Sequence, residues 1–250
     1  MGADKADEIL DDIVKRCPNT KLIGITCMDD RRFIHNYQFF NDKVLENALC
    51  LMKLNCSLEF ELKTSFGLVK KQGDIFDFEL NSNKRLVQKI NGEKATKELF
   101  DIVGVDQENI RMLDKFYSQS FYFPFGCTRN DFIHAYIIAG ILGEKLYFAN
   151  QVNETKLNLF QLTGRQILKS TENLFANLDD KSYFNFLVMC ETYIETLGGE
   201  IYKIYDMIKN KTEKPFIVLF AGGESISYGD EVPHYLYESL NSLTIKNSSL

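Results

Sequence analysis

The sequence predicts an α+β protein with two lobes, built from mixed, largely antiparallel sheets flanked by helices. Three observations point there. Residues 32–90 break into short apolar runs separated by Asn, Asp and Gly turns, as an antiparallel meander requires. A doubly wound parallel sheet needs a crossover helix after nearly every strand, and that stretch has no room for them. Three segments, near 5–17, 165–178 and 192–209, carry a helical apolar stripe instead.

Taken in order, residues 5–17 place Ile9, Leu10, Ile13, Val14 and Cys17 on one helical face, and Pro18-Asn19 ends the helix. Lys21–Met28 reads as a strand and leads to the acidic turn Asp29-Asp30. Strands are expected over Arg32–Phe40, Val44–Lys53, Ser57–Thr64, Asp74–Leu80 and Arg85–Ile90, then a helix over Lys94–Val103. Tyr122–Phe125 reads as a short edge strand, because Pro124 cannot donate to a ladder. Phe132–Ile141 and Lys145–Phe148 read as a hairpin turning at Gly143-Glu144, and Lys156–Leu162 as a further strand. In helix 165–178, Ile167, Leu168, Thr171, Leu174, Phe175 and Leu178 form one stripe. Strand Tyr183–Cys190, a helix to about Lys209 broken at Gly198-Gly199, and strand Phe216–Ala221 follow. Helix 5–17 with strand KLIGITC, and helix 200–209 with strand PFIVLFAGG, read as a weak internal duplication.

The chain has 250 residues, 45% hydrophobic and 26% charged, enough for sizeable cores without disulfide or metal staples. Its net charge of −6 disfavours nucleic-acid binding through a basic surface. No wholly apolar stretch exceeds the neighbourhood of Ala135–Leu142, far below the roughly 20 residues of a membrane span. The six cysteines form no CxxC pair, and most sit in apolar runs, so they read as buried thiols in a reducing, cytoplasmic setting with no metal site. The N-terminus lacks the basic and apolar regions of a signal peptide. The 20 Phe and 12 Tyr include a dense cluster, Phe116–Phe125, that reads as an interdomain core segment.

Chemistry is sparse. In FAGGESISYGDE, Gly222 and Gly223 let the backbone approach a ligand, and Glu224 sets a partly exposed carboxylate at a strand end, ready to accept from an amine or act as a base. Cys190 ends an apolar strand before a helix, a position that can stabilise a thiolate. No nucleophile signature such as GxSxG or HExxH occurs. His35, His134 and His234 are isolated from one another, and only His134 lies in a strongly apolar segment. A haem needs an axial ligand and a large apolar pocket, so no haem and no other cofactor is expected.

Three stretches carry a family resemblance. KLIGITCMDD holds Gly24 and Thr26. SFGLVKKQGDIFDFEL and the run after it hold Gly67, Gly73, Asn91-Gly92 and Ala95. NFLVMCETY with PFIVLFAGGES holds Cys190, Gly223 and Glu224. In this order they resemble the FIST sensory domain. The resemblance implies an N-terminal lobe over 1–118, lacking the βα stretch that opens a full member, and a C-terminal lobe over 119–250. It also implies a cytoplasmic input module of bacterial signal transduction, not an enzyme, binding a small molecule such as an amino acid or related metabolite. Its expected partner is an output protein such as a histidine kinase or a cyclic-dinucleotide enzyme, with no nucleic acid and no membrane. The expected ligand-binding residues are Gly24, Thr26, Cys27, Cys190, Gly222, Gly223 and Glu224, with the two strand ends facing one cleft. The alternatives are a cysteine-dependent enzyme using Cys190 and a haem-based gas sensor using His134.

Overall fold

The computed structural model describes residues 5–28, 35–104, 121–176, 182–230 and 232–247. The Asp29-Asp30 turn, the first half of the aromatic cluster and the expected lobe boundary at 118/119 lie outside them. In chain order the first elements are α1 (Ala6–Arg16), β1 (Lys21–Ile25), β2 (Tyr37–Phe40), β3 (Lys43–Glu46) and β4 (Glu59–Phe66). Then come β5 (Leu68–Leu80), β6 (Leu86–Ile90), β7 (Glu93–Lys94), α2 (Ala95–Val103), β8 (Phe125–Arg129), β9 (Phe132–Tyr136), β10 (Ile138–Leu142), β11 (Lys145–Phe148) and β12 (Lys156–Leu162). The last are α3 (Gly164–Phe175), β13 (Ser182–Cys190), α4 (Thr192–Leu197), a 3-10 turn over Gly198–Ile201, α5 (Tyr202–Lys209), β14 (Phe216–Ala221), β15 (Glu224–Tyr228), β16 (His234–Leu236) and β17 (Ser239–Lys246).

The fold is α+β, and among the described residues the one parallel ladder is β13–β14. The chain divides into two compact units, one from 1–67 with 167–250, the other from 68–166. The division expected at 118/119 is a different one and falls outside the described residues. Pairing between strands far apart in the chain decides the two units, and composition does not record such pairing.

The unit over 68–166 is a curled sheet in the order β10-β11-β6-β5-β12-β8-β9, with β7 on β6. Its two end strands, β9 and β10, are separated in the chain only by Ile137, so the sheet must bend until its ends nearly meet. Inside, Phe125 packs edge-on against Phe76 and Phe78 with centroids 5.3 and 4.9 Å away, an arrangement aromatic rings favour. Ala95 and Leu99 of α2 join the same core. The strand expected at Tyr122–Phe125 begins instead at Phe125 and is internal. Pro124 precedes it, and its carbonyl accepts from Phe160 N–H at 2.9 Å, so the missing donor costs nothing. The expected hairpin strand Phe132–Ile141 is two strands, β9 on β8 and β10 on β11. Gly73 lies inside β5 with φ +95°, where β5's register against β12 shifts.

The other unit holds a four-stranded sheet, β14-β13-β17-β4, a three-stranded sheet, β1-β15-β16, and the hairpin β2-β3. The three-stranded sheet packs on β17, and α1 lies against β16. α1 buries Leu10 and Val14, and carries Asp7 and Glu8 in its first turn and Lys15 and Arg16 in its last, matching its dipole. The expected strand Val44–Lys53 stops at Glu46, because Asn47 turns into the left-handed region at φ +52°. Gly198, with φ +50° and ψ −125°, separates α4 from the turn that leads into α5. The two segments of the apparent duplication part company here: β1 pairs antiparallel with β15, β14 parallel with β13, in different sheets.

Candidate functional site

The ladder β1–β15 brings together the two strand ends singled out in the sequence. Gly24 stands opposite Ser225 and Ile25 opposite Glu224. Beyond the ladder, Thr26 N–H donates to Gly223 O at 2.9 Å and Gly222 N–H to Thr26 O at 3.1 Å. They are hydrogen-bonded neighbours rather than opposite lips of an open cleft. A side-chain carbon at Gly222 would come within 2.9 Å of Met28 Cβ, and one at Gly223 within 2.3 Å of the Tyr235 hydroxyl. The Tyr235 hydroxyl also shares a hydrogen bond with Thr26 Oγ1 at 2.9 Å. Burial pushes that phenol up to about 12. The glycine turn is therefore covered from above. Cys27 follows Thr26 and is half-buried.

Glu224 differs from the partly exposed turn carboxylate expected of it: it is fully buried. β15 starts at Glu224, so its side chain enters the space between the two sheets. Ser239 holds one oxygen, its N–H donating to Glu224 Oε2 at 3.2 Å and its hydroxyl at 2.9 Å. The other oxygen, Oε1, has no hydrogen-bond partner among the described residues. Burial drives the Glu224 carboxyl well above the usual carboxylate range. Ser239 works against that shift and Glu238 adds to it. Burial thus favours the protonated form of Glu224.

Cys190, at the end of β13, lies beside Glu224 and is itself buried. Its Sγ is 2.8 Å from Thr192 Oγ1, and the Thr192 hydroxyl donates to Glu238 Oε1 at 2.8 Å. Thr192 has one hydroxyl proton, so the thiol is the donor in the first of these bonds. Tyr193, the next residue of α4, fixes the chain that carries Glu238. Its hydroxyl accepts from Gly67 N–H at 2.8 Å and donates to Glu238 O at 2.8 Å. Glu238 takes φ +55°, a conformation uncommon outside glycine and asparagine. Burial, with Glu224 and Glu238 close by, raises the Cys190 thiol well above its ordinary range. The helix start after Cys190 does not offset this, and the arrangement holds a protonated thiol rather than a thiolate.

The centre thus joins Cys190 and Glu224, which the sequence singled out, to Thr192, Tyr193, Glu238 and Ser239, which it did not. The one signal was Glu238-Ser239 inside the run Tyr235–Leu240, where polar groups sit among residues that are all buried. His134 lies elsewhere, half-buried on β9 opposite Cys127. Among the described residues, no group of three or more His, Cys, Asp or Glu side chains is placed to hold a metal ion. A shallow groove of about 390 Å³ runs beside β4 at Thr64, Asn173 and Tyr228, and none of its lining residues belongs to the acidic centre. No helix among the described residues is long and apolar enough to cross a membrane. Comparison with protein-family models, with curated proteins and with solved structures finds no match to this chain.

Proposed function

We propose that this chain is a small-molecule-binding sensory domain whose acidic centre receives an amine-bearing metabolite such as an amino acid. The observation that carries the reading is Glu224 Oε1, a fully buried polar atom with no hydrogen-bond partner among the described residues. Such an orphaned atom costs about 1–3 kcal/mol, and an amine placed there would take up the carboxyl proton and leave an ammonium donating a charge-assisted hydrogen bond to Oε1. Thr26, Gly222 and Gly223, with Gly24 and Cys27 beside them, form the wall through which a ligand enters once Tyr235 swings away. Cys190 lines the far side. The resemblance to the FIST family supports the same reading and adds a cytoplasmic setting and a signalling output partner, a histidine kinase or a cyclic-dinucleotide enzyme.

A thermal-shift screen of amino acids and small amines tests it, run on the wild type and on Glu224→Gln. A ligand at about 100 times its Kd adds roughly 2.7 kcal/mol of stability, an unmistakable rise in Tm. The wild type should show that rise with at least one compound, and Glu224→Gln should lose it. A screen without any shift, together with a native mass equal to that of the bare chain, would remove the proposal.

A further inference from the structure

The segment 37–54 inverts the usual placement of polar and apolar side chains. In the hairpin β2–β3, Phe39 and Val44 pair on one face and are 75% and 63% exposed, while Phe40 on the other face is 55% exposed. Beyond β3, Leu49, Leu51 and Met52 are 55%, 64% and 81% exposed. The polar groups are turned to holding this segment together. Asn36 Oδ1 accepts from Asn47 N–H at 3.0 Å and from Gln38 Nε2 at 3.0 Å, and Gln38 Oε1 accepts from Ala48 N–H at 2.9 Å. His35 stacks on Tyr37 and bonds Glu46 at 2.5 Å. The start of the apolar arm is thereby pinned to the hairpin, and the surface is a built platform.

Its size and charge indicate what covers it. Phe40 faces away from this side. A large side chain presents roughly 150–250 Å² when fully exposed, so Phe39, Val44, Leu49, Leu51 and Met52 leave roughly 600 Å² of mostly apolar surface bare. That stands at the top of the roughly 300–600 Å² range of the largest patch on an ordinary monomer and approaches the ~800 Å² that each partner of a stable complex buries. The charged residues within 37–54 are Asp42, Lys43, Glu46 and Lys53, which cancel. A second platform of the same kind meets no like-charge repulsion there, despite the net charge of −6 on each chain. An anionic bilayer finds no basic cluster to hold. A hairpin of two strands is also marginal alone in water and gains most from a partner that buries its face. We propose that residues 37–54 form the interface of a two-fold homodimer, in which the platform of one copy covers that of the other. An isologous contact of this kind closes on itself and needs no second patch. The inference is independent of the ligand reading at Glu224.

Size-exclusion chromatography with light scattering on the full chain at micromolar concentration tests it, with the double variant Phe39→Glu/Leu51→Glu beside it. Both substituted positions are exposed, and circular dichroism checks that the variant keeps its fold. The wild type should have twice the chain mass, and the variant should raise the dimer dissociation constant by at least about 30-fold, as loss of a central interface residue does. A monomeric wild type, an open-ended series of larger species, or a variant that remains fully dimeric would each overturn the proposal. Sedimentation of a monomeric wild type with phosphatidylcholine vesicles would assign the platform to a membrane surface instead.

Discussion

The hydroxyl of Tyr235 occupies the space that a side chain on residue 223 would need, 2.3 Å from where its Cβ would lie. Gly223 is required here by close approach, not by a left-handed backbone. Gly223→Ala should therefore destabilise the unit by about 1–3 kcal/mol through overpacking. Urea denaturation reads the loss. Adding Tyr235→Phe should return part of it, because the clashing oxygen is gone. A neutral Gly223→Ala would mean that Tyr235 moves aside without cost.

The pH dependence of stability should carry the signature of Glu224. Its carboxyl titrates well above the ordinary value of 4.5 because it is buried. Between that ordinary value and the raised one, the unfolded chain is ionised while the folded chain keeps its proton. Stability is then fully present below the ordinary value and falls as pH rises, by up to about 1.4 kcal/mol per pH unit, until the folded carboxyl ionises. Glu224→Gln should flatten this fall and be more stable than the wild type at neutral pH. Parallel curves for the two proteins would show that Glu224 is ionised in the fold.

Cys190 should be slow to react. Burial, with Glu224 and Glu238 close by, holds its thiol protonated, whereas Cys17, Cys50 and Cys56 are exposed. Brief iodoacetamide treatment at neutral pH, followed by peptide mass mapping, should label the exposed three and spare Cys190. Rapid, selective labelling of Cys190 would instead favour a cysteine-dependent enzyme.

In the other unit, Tyr136 closes a triad. Its hydroxyl donates to Glu154 Oε2 at 2.7 Å and accepts from Arg129 Nη2 at 2.8 Å, and Arg129 also pairs with Glu154. Burial alone would raise the Glu154 carboxyl, but the bonds from Tyr136 and Arg129 outweigh it and hold it below the ordinary range. Tyr136→Phe should cost about 1.5–3 kcal/mol, the range for hydrogen bonds to charged groups. Because the Glu154 carboxyl is depressed, its contribution is present above the ordinary carboxylate value and is lost as pH falls through the folded one. The gap between wild type and Tyr136→Phe should therefore narrow on acidification. A constant gap would mean that Tyr136 acts by packing alone.

Local pattern was legible wherever one face of an element is wet. α3 shows its stripe because Ile167, Thr171, Leu174 and Phe175 are buried while Glu172 and Asn173 are exposed. β12, readable from its alternation, and β14, an apolar run, have the expected limits. β16 and β17 were not legible, because residues from Tyr235 to Ser242 are all buried, polar ones included. A strand buried on both faces loses the period of two that announces it.

By itself the sequence determined the α+β class and the helices with an amphipathic stripe. Each follows from interactions between residues close in the chain, or from turn chemistry at single positions. The tertiary structure alone decided that β9 and β10 stand at the two ends of one curled sheet, that residues 68–166 form a unit of their own, and that Glu224 is buried beside Cys190 and Glu238. Those outcomes depend on which distant strands pair and on what then covers a side chain. Burial sets the dielectric around a carboxylate, so the same Glu224 that reads as a partly exposed acid in the sequence has its carboxyl pushed well up in the fold.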